Sequence, residues 1–138
     1  MIDESERTVG GADLPRQSIK VLIAEDSPSF LEALKRFLEQ QQAFQVIGVA
    51  HNGIEAVEQA LIFQPDLVLM DIKMPNMNGL EATLRIKTRP DAPKIILITV
   101  CDTAGYRKAA EDAEADGFVG KSRLRTDLLP AIEKLFAK

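Results

Sequence analysis

The chain has 138 residues, 46% of them apolar and 28% charged, and a formal charge of 17 − 21 = −4, the make-up of one soluble globular domain. A mildly acidic surface is a poor match for nucleic-acid phosphates, which need a basic face, and no apolar run approaches the ~20 residues of a membrane-spanning helix. One cysteine, Cys101, and one histidine, His51, leave no material for an internal disulfide, a cysteine-built zinc site or a histidine pair. With no apolar signal core near the N-terminus, a cytoplasmic location is expected.

Residues 1–18, MIDESERTVGGADLPRQS, are polar and are expected to form a flexible leader to a single domain over 19–138. Ile19–Ala24 (IKVLIA) reads as the first strand. Ser27 and Pro28 then supply a helix N-cap and first-turn proline, and Phe30, Ala33, Leu34, Phe37 and Leu38 recur at the spacing of one helical face. Phe44–Ala50 (FQVIGVA) is the second strand, and Ile54, Val57, Ala60 and Leu61 are expected to face inward from the second helix. Asp66–Met70 (DLVLM) is the third strand, and the third helix follows Asn78-Gly79 with Leu80 and Leu84 inward. Lys94–Thr99 (KIILIT) is the fourth strand. The helix predicted over 103–115 has the poorest pattern, Ala-rich and polar, with Gly105 inside it at a cost of about 1 kcal/mol relative to alanine. Gly117–Gly120 (GFVG) is the fifth strand. The last helix is expected to start near Thr126, with Leu128, Leu129, Ile132, Leu135 and Phe136 inward and Pro130 in its first turn.

Three of these strands are nearly continuous in apolar residues, as strands covered on both faces are. Alternating strands and helices with right-handed crossovers make a doubly wound α/β fold, (βα)5, with a five-stranded parallel sheet in the flavodoxin-like order 2-1-3-4-5.

Such folds carry their sites at the C-terminal ends of the strands. Glu25 and Asp26 follow the first strand, Asp71 the third; Thr99 ends the fourth, and Lys121 follows the fifth. In that strand order the four positions are neighbours, so three carboxylates, a hydroxyl and an ammonium converge on one rim. Each has an ordinary reading alone: Asp26 as a helix cap, Lys121 as a surface charge, Thr99 as the end of a β-branched strand. Together they point to chemistry. Three close acids repel unless a cation sits among them, and oxygen-only donors suit Mg²⁺. A lysine and a hydroxyl beside that ion suit a phosphoryl group, hence Mg²⁺-assisted phosphoryl transfer. With no catalytic histidine or cysteine at the rim, the nucleophile is expected to be a carboxylate, giving an acyl phosphate.

The segments VLIAEDS (21–27), LVLMDIKMPNMNGLEA (67–82), KIILIT (94–99) and ADGFVGKS (115–122) resemble the receiver domain of bacterial response regulators, and the likeness covers residues 19–137. The resemblance implies that Asp71 is the phosphoacceptor, that Asp26 binds Mg²⁺ directly, that Glu25 acts in the same acidic pocket, and that the backbone carbonyl of Lys73 is a further ligand. It implies that Lys121 pairs with the phosphoryl oxygens, that Thr99 moves to hydrogen-bond them, and that Phe118 is the aromatic switch residue that turns inward as Thr99 moves. The implied donor is a phosphohistidine on a sensor histidine kinase or phosphotransfer protein, docking on the first helix and the loop after the fifth strand. The implied output runs through the face made by helix 4, strand 5 and helix 5, to a downstream protein or domain or to a phosphorylation-dependent homodimer. On this reading the chain is a signalling switch, not an enzyme: it catalyses only its own phosphorylation and dephosphorylation. It neither binds nucleic acid directly nor enters a membrane.

Three positions depart from the family's commonest pattern. The acidic pair is Glu-Asp where many members have Asp-Asp. Val100 stands where a small residue is usual, and is expected to crowd the phosphoryl pocket and slow phosphoryl uptake, loss or both. Ser122 follows Lys121 where many members have proline, which leaves the geometry of that peptide open; Lys-Ser is frequent in receivers fused to helix-turn-helix output domains. The remaining noticeable residues have structural readings: Cys101 as a buried or half-buried structural thiol, His51 as a loop residue at a helix start, Met70, Met74 and Met77 as packing and loop filler, and Phe30, Phe37, Phe44 and Phe63 as core aromatics. A magnesium-dependent phosphatase with an aspartyl-phosphate intermediate would carry a second Asp two residues after the nucleophile, where this chain has Lys73. An unphosphorylated pseudo-receiver, the alternative binding module, would tend to lose the acceptor or the acidic pair, and here all are present.

Overall fold

β-Branched and leucine-rich runs form the expected five strands: β1 (Ile19–Ala24), β2 (Phe44–Ala50), β3 (Leu67–Asp71), β4 (Lys94–Thr99) and β5 (Gly117–Gly120). In this computed structural model, which describes residues 18–137, they pair in parallel in the order β2-β1-β3-β4-β5. The expected leader lies outside the described residues apart from Ser18. The helices between and after the strands are α1 (Pro28–Glu39), α2 (Gly53–Phe63), α3 (Gly79–Ile86), α4 (Ala104–Asp112) and α5 (Leu124–Phe136), and a single 3₁₀ turn, Lys121–Arg123, leads into α5.

Strand side chains alternate between two cores. Val21 and Ile23, with Leu67, Leu69, Ile96 and Ile98, pack against Leu34 and Leu38 of α1 and Leu128 and Ile132 of α5. Leu22 and Ala24, with Val68, Met70, Ile95 and Leu97, pack against α2, α3 and α4 through Ala56, Ala60, Ala82, Ile86 and Ala110. Burial on both sides explains the unbroken apolar runs at 21–24, 67–70 and 95–98 of the central strands.

The helices on the second face do not present their largest residues to it. Ile54 and Leu61, expected inward, are exposed, and α2 buries Gly53, Ala56 and Ala60 instead. Leu84 is likewise exposed while Ala82, Thr83 and Ile86 face in and Leu80 is half-buried. The cause is close backbone approach. Gly53 N donates to the Met77 carbonyl at 2.9 Å, and a Cβ on Gly53 would overlap that carbonyl. Held this near the loop, the first turn of α2 has room only for small side chains, while Ile86 fits at the far end of α3. Phe63 is exposed too, lying along Gly48 of the edge strand β2 rather than in a core. On α1, Ala33 is exposed and Leu31 takes its place against the core.

Boundaries shift where local geometry outweighs pattern. β3 runs one residue later than expected, which makes Asp71 its last residue. The fourth helix is shorter than 103–115: Thr103 caps it, accepting from Tyr106 N, and Glu114 at φ 67° turns the chain out of it. α5 begins before Thr126, so Pro130 lies inside the helix and not in its first turn; the ring is exposed, and the helix forgoes one hydrogen bond there.

Candidate functional site

Each rim residue is placed by the end of a strand. Glu25 continues β1 through its N–H, which donates to Ala50 O at 2.9 Å. Its side chain is buried, and Oε2 accepts from Ser27 N at 2.9 Å. Asp26, the next residue, is exposed. Asp71 is 8% exposed, and its Oδ1 accepts from Lys73 N at 3.4 Å. The loop behind it is drawn tight: Gly79 N donates to Ile72 O at 2.7 Å, a Cβ on Gly79 would overlap the Asp71 carbonyl, and Asn78 caps α3 by accepting from Glu81 N. Both Asn-Gly pairs of this chain therefore work alike, with an asparagine N-cap followed by a glycine pressed against neighbouring backbone.

Lys121 closes the group from β5. Its Nζ is 2.8 Å from Glu25 Oε1 and 3.1 Å from Asp71 Oδ2, with the side chain only 14% exposed. The same ammonium lies 4.1 Å from the centre of the Phe30 ring. Burial pushes the Glu25 carboxyl above its ordinary 4.5, more than the hydrogen bonds from Lys121 and Ser27 N pull it down, and Asp71 adds repulsion. Burial alone would lower the Lys121 ammonium, but its hydrogen bonds to Glu25 and Asp71 outweigh it and hold the group above 10.5. The lysine therefore remains a cation at neutral pH.

One carboxylate oxygen from each of Glu25, Asp26 and Asp71 falls within a 4.8 Å span. Oxygen-only donors, of which Asp26 is open to solvent, fit a hard divalent ion that keeps part of its hydration shell. Lys121 offsets only part of the charge of three acids, so the donor set fits Mg²⁺.

Thr99 ends β4, Phe118 lies two residues before the end of the neighbouring β5, and both are engaged with other neighbours. Thr99 is fully buried, and its Oγ1 accepts from Cys101 N at 3.0 Å. Phe118 is half-buried, and the Arg107 guanidinium lies over its ring, 4.7 Å from the centre. Arg107 also forks onto Asp102, Nε to Oδ1 at 2.7 Å and Nη2 to Oδ2 at 2.9 Å. Val100 is 71% exposed. Lys73 turns its side chain to solvent and reaches Asp71 through its backbone N–H. Cys101 is half-buried, as expected, and among the described residues no peptide bond is cis, Lys121–Ser122 included.

Sequence reasoning missed two partners. Phe30 was expected to be only a core aromatic; its place over Lys121 has no local signal, because the two residues lie far apart in the chain. The Asp102–Arg107 fork left only a faint one, an acid and an arginine around the start of a polar helix.

The chain matches the response regulator receiver domain family over residues 21–133. It belongs to that family. It is 35% identical over 120 residues to the response regulator GacA of Pseudomonas syringae pv. syringae (strain B728a), a match that covers 86% of this chain and 56% of that protein. The chain thus spans little more than half the length of that relative. Among solved structures it is similar to a two-component response regulator of the LuxR family from Aurantimonas sp. SI85-9A1, with a TM-score of 0.82, 28% identity, and coverage of 87% of this chain and 86% of that one. It is also similar to a chain of the CheX-CheY-BeF3-Mg complex of Borrelia burgdorferi, with a TM-score of 0.80, 26% identity, and coverage of 88% and 92%. This receiver domain is thus a module of two-component signalling, and its acidic cluster lies in the pocket where receiver domains bind Mg²⁺. No helix among the described residues is long and apolar enough to cross a membrane.

Proposed function

We propose that this receiver accepts a phosphoryl group onto Asp71 from a phosphohistidine of a sensor histidine kinase or phosphotransfer protein, and signals through the face made by α4, β5 and α5. The observation that carries this reading is Lys121, a largely buried cation bridging Glu25 and Asp71 beside a cluster of three carboxylates.

In the transfer step an Asp71 oxygen attacks phosphorus, the P–N bond of the donor breaks, and its electron pair leaves with the imidazole. Mg²⁺, held by Asp26, Asp71 and the Lys73 carbonyl with Glu25 in the same pocket, supplies charge neutralisation at the phosphoryl oxygens when bound. Lys121 pairs with a phosphoryl oxygen from the position it already holds. Glu25 keeps that ammonium in place through Oε1 while its Oε2 fixes the start of α1. The Thr99 oxygen accepts from Cys101 N, so its own proton is free to donate to the phosphoryl group. Drawing Thr99 inward pulls the β4–α4 loop with it, and Phe118 turns in and leaves Arg107. The dianionic group thus favours one of two arrangements of this face. Water attack on the acyl phosphate resets the switch.

A cleft of about 280 Å³ lined by Phe30 and Ala33 of α1 and by Lys121, Ser122, Arg123 and Leu124 supports donor docking on that side. Likeness to GacA over part of its length and to a LuxR-family regulator supports an output domain or protein as the recipient, which would make any DNA contact in place of this acidic domain. The same face is the candidate contact for a phosphorylation-dependent homodimer. A cytoplasmic location follows from the same reading, since the donor and output of such systems meet there.

Intact-protein mass after incubation with Mg²⁺ and acetyl phosphate tests the proposal. A single phosphate adduct is expected in the wild type and none in Asp71→Asn. No adduct together with no binding of beryllofluoride would overturn it in favour of an unphosphorylated binding module.

A further inference from the structure

Phe30 belongs to a closed circuit of contacts around the acidic cluster. Ser27 N donates to Glu25 Oε2 at 2.9 Å. Ser27 Oγ caps α1 and accepts from Phe30 N at 3.4 Å. The Phe30 ring lies under Lys121 Nζ, 4.1 Å from its centre, and that Nζ returns to Glu25 Oε1 at 2.8 Å. One carboxylate therefore holds the lysine with one oxygen and, with the other, sets the helix turn that carries the ring.

A lysine ammonium is a point charge on a flexible stem, with three donors and no preferred direction of its own. Glu25 and Asp71 take it on one side, and the ring supplies another wall. A cation over an aromatic face is attracted by the ring's electron density, more strongly when water is excluded, and this side chain is 14% exposed. Phe30 and Lys121 together line the cleft between α1 and the start of α5, so the lysine has a way out toward solvent beside the ring.

We propose that Phe30 is a positioning residue for phosphoryl transfer, its ring holding the Lys121 ammonium against Glu25 and Asp71. The role rests on the phosphotransfer reading above, but the contact itself does not, and the two are tested separately. Phe30→Leu keeps apolar bulk and removes the ring; Phe30→Tyr keeps the ring.

The first readout needs no phosphorylation: trace acetylation of lysines with acetic anhydride, read by peptide mass spectrometry, with Lys35 and Lys134 as internal references. Lys121 is expected to label about three- to tenfold faster in Phe30→Leu, the loss of one partly desolvated cation–aromatic contact, and at the wild-type rate in Phe30→Tyr. The second is the rate of adduct formation with acetyl phosphate and Mg²⁺, expected to fall by a similar factor in Phe30→Leu and to be restored in Phe30→Tyr. Unchanged Lys121 labelling in Phe30→Leu overturns the inference, whatever happens to the rate, because an ammonium that stays seated without the ring is not held by it. Faster labelling with an unchanged adduct rate overturns the positioning role. A wild type that takes no phosphate sinks the phosphotransfer reading and this role with it, while the labelling still decides whether the ring holds the lysine. Phe30→Met serves in place of Phe30→Leu, on the same two readouts, should the leucine variant not fold.

Discussion

Lys121 lies over the ring of Phe30, and Arg107 lies over the ring of Phe118. The first cation is 14% exposed and bridges two buried carboxylates. The second is 52% exposed, and its acidic partner Asp102 is 32% exposed. Water makes the difference between two contacts of the same kind. Lys121 cannot leave without stranding Glu25 beside Asp71 in a dry site, whereas Arg107 can swing into solvent, which screens and rehydrates it. One side of the rim is rigid and holds the charges; the other yields and holds the aromatic residue proposed to move. A phosphorylation switch needs both, since a fixed site must bias an element that has two arrangements of similar free energy.

The largest effect expected is on the rigid side. Lys121→Met should slow phosphoryl uptake by about 100-fold or more, the scale of losing one preorganised charge in a water-poor site, and should lower the melting temperature in the absence of metal. An intact-mass time course and a thermal melt check both. A mild defect would mean that the buried bridge is not what readies Asp71.

On the yielding side the expectation is smaller and of another kind. Arg107→Ala should release Phe118 and raise amide hydrogen exchange across residues 100–106 about two- to fivefold, while the adduct forms at a rate within about threefold of wild type. The comparison breaks if this variant cripples uptake as deeply as Lys121→Met.

The two sides should also differ in the sign of their pH dependence. Hydrogen bonding to Arg107 holds the Asp102 carboxyl below its ordinary 3.8. A depressed folded-state pKa contributes stability above 3.8 that is lost as pH falls through the folded value. The Phe118 ring resonances should therefore stay constant near neutrality and shift only below about pH 4, and Arg107→Ala should abolish that shift. Glu25, held above 4.5 by burial, has the opposite sign: its contribution is favourable below 4.5 and is lost as pH rises through the folded value. Metal-free melts should show that decline in the wild type and not in Glu25→Gln. The smallest effect is expected at Val100, which stands in solvent: Val100→Ala should change uptake by no more than about twofold, as exposed substitutions do.

The site was legible from residue type and strand order together. Glu25, Asp26, Asp71 and Lys121 were placed on one rim because each follows a strand and the strands are neighbours, and their side chains meet there. Thr99 is expected at a strand end and lies there, and Phe118 is singled out only by the family resemblance; their present partners, Cys101 N and Arg107, have no clear signal in the sequence. The inward faces of α2 and α3 were misjudged at Ile54, Leu61 and Leu84. Hydrophobic spacing assumes that the largest apolar residues go inward, and here the distance between backbones decided otherwise.

By itself the sequence determined the order of strands and helices, the parallel sheet buried on both sides, and the identity of the charged groups at the ends of its strands. Those follow from local patterns of apolarity and from the handedness of crossover connections. Only the tertiary structure decided that Gly53 and Gly79 press against the Met77 and Asp71 carbonyls, that α2 and α3 consequently turn alanines inward, and that Lys121 meets Phe30. Those contacts join residues far apart in the chain, and they depend on how closely packed backbones approach, a distance that no spacing of residue types along a strand or helix encodes.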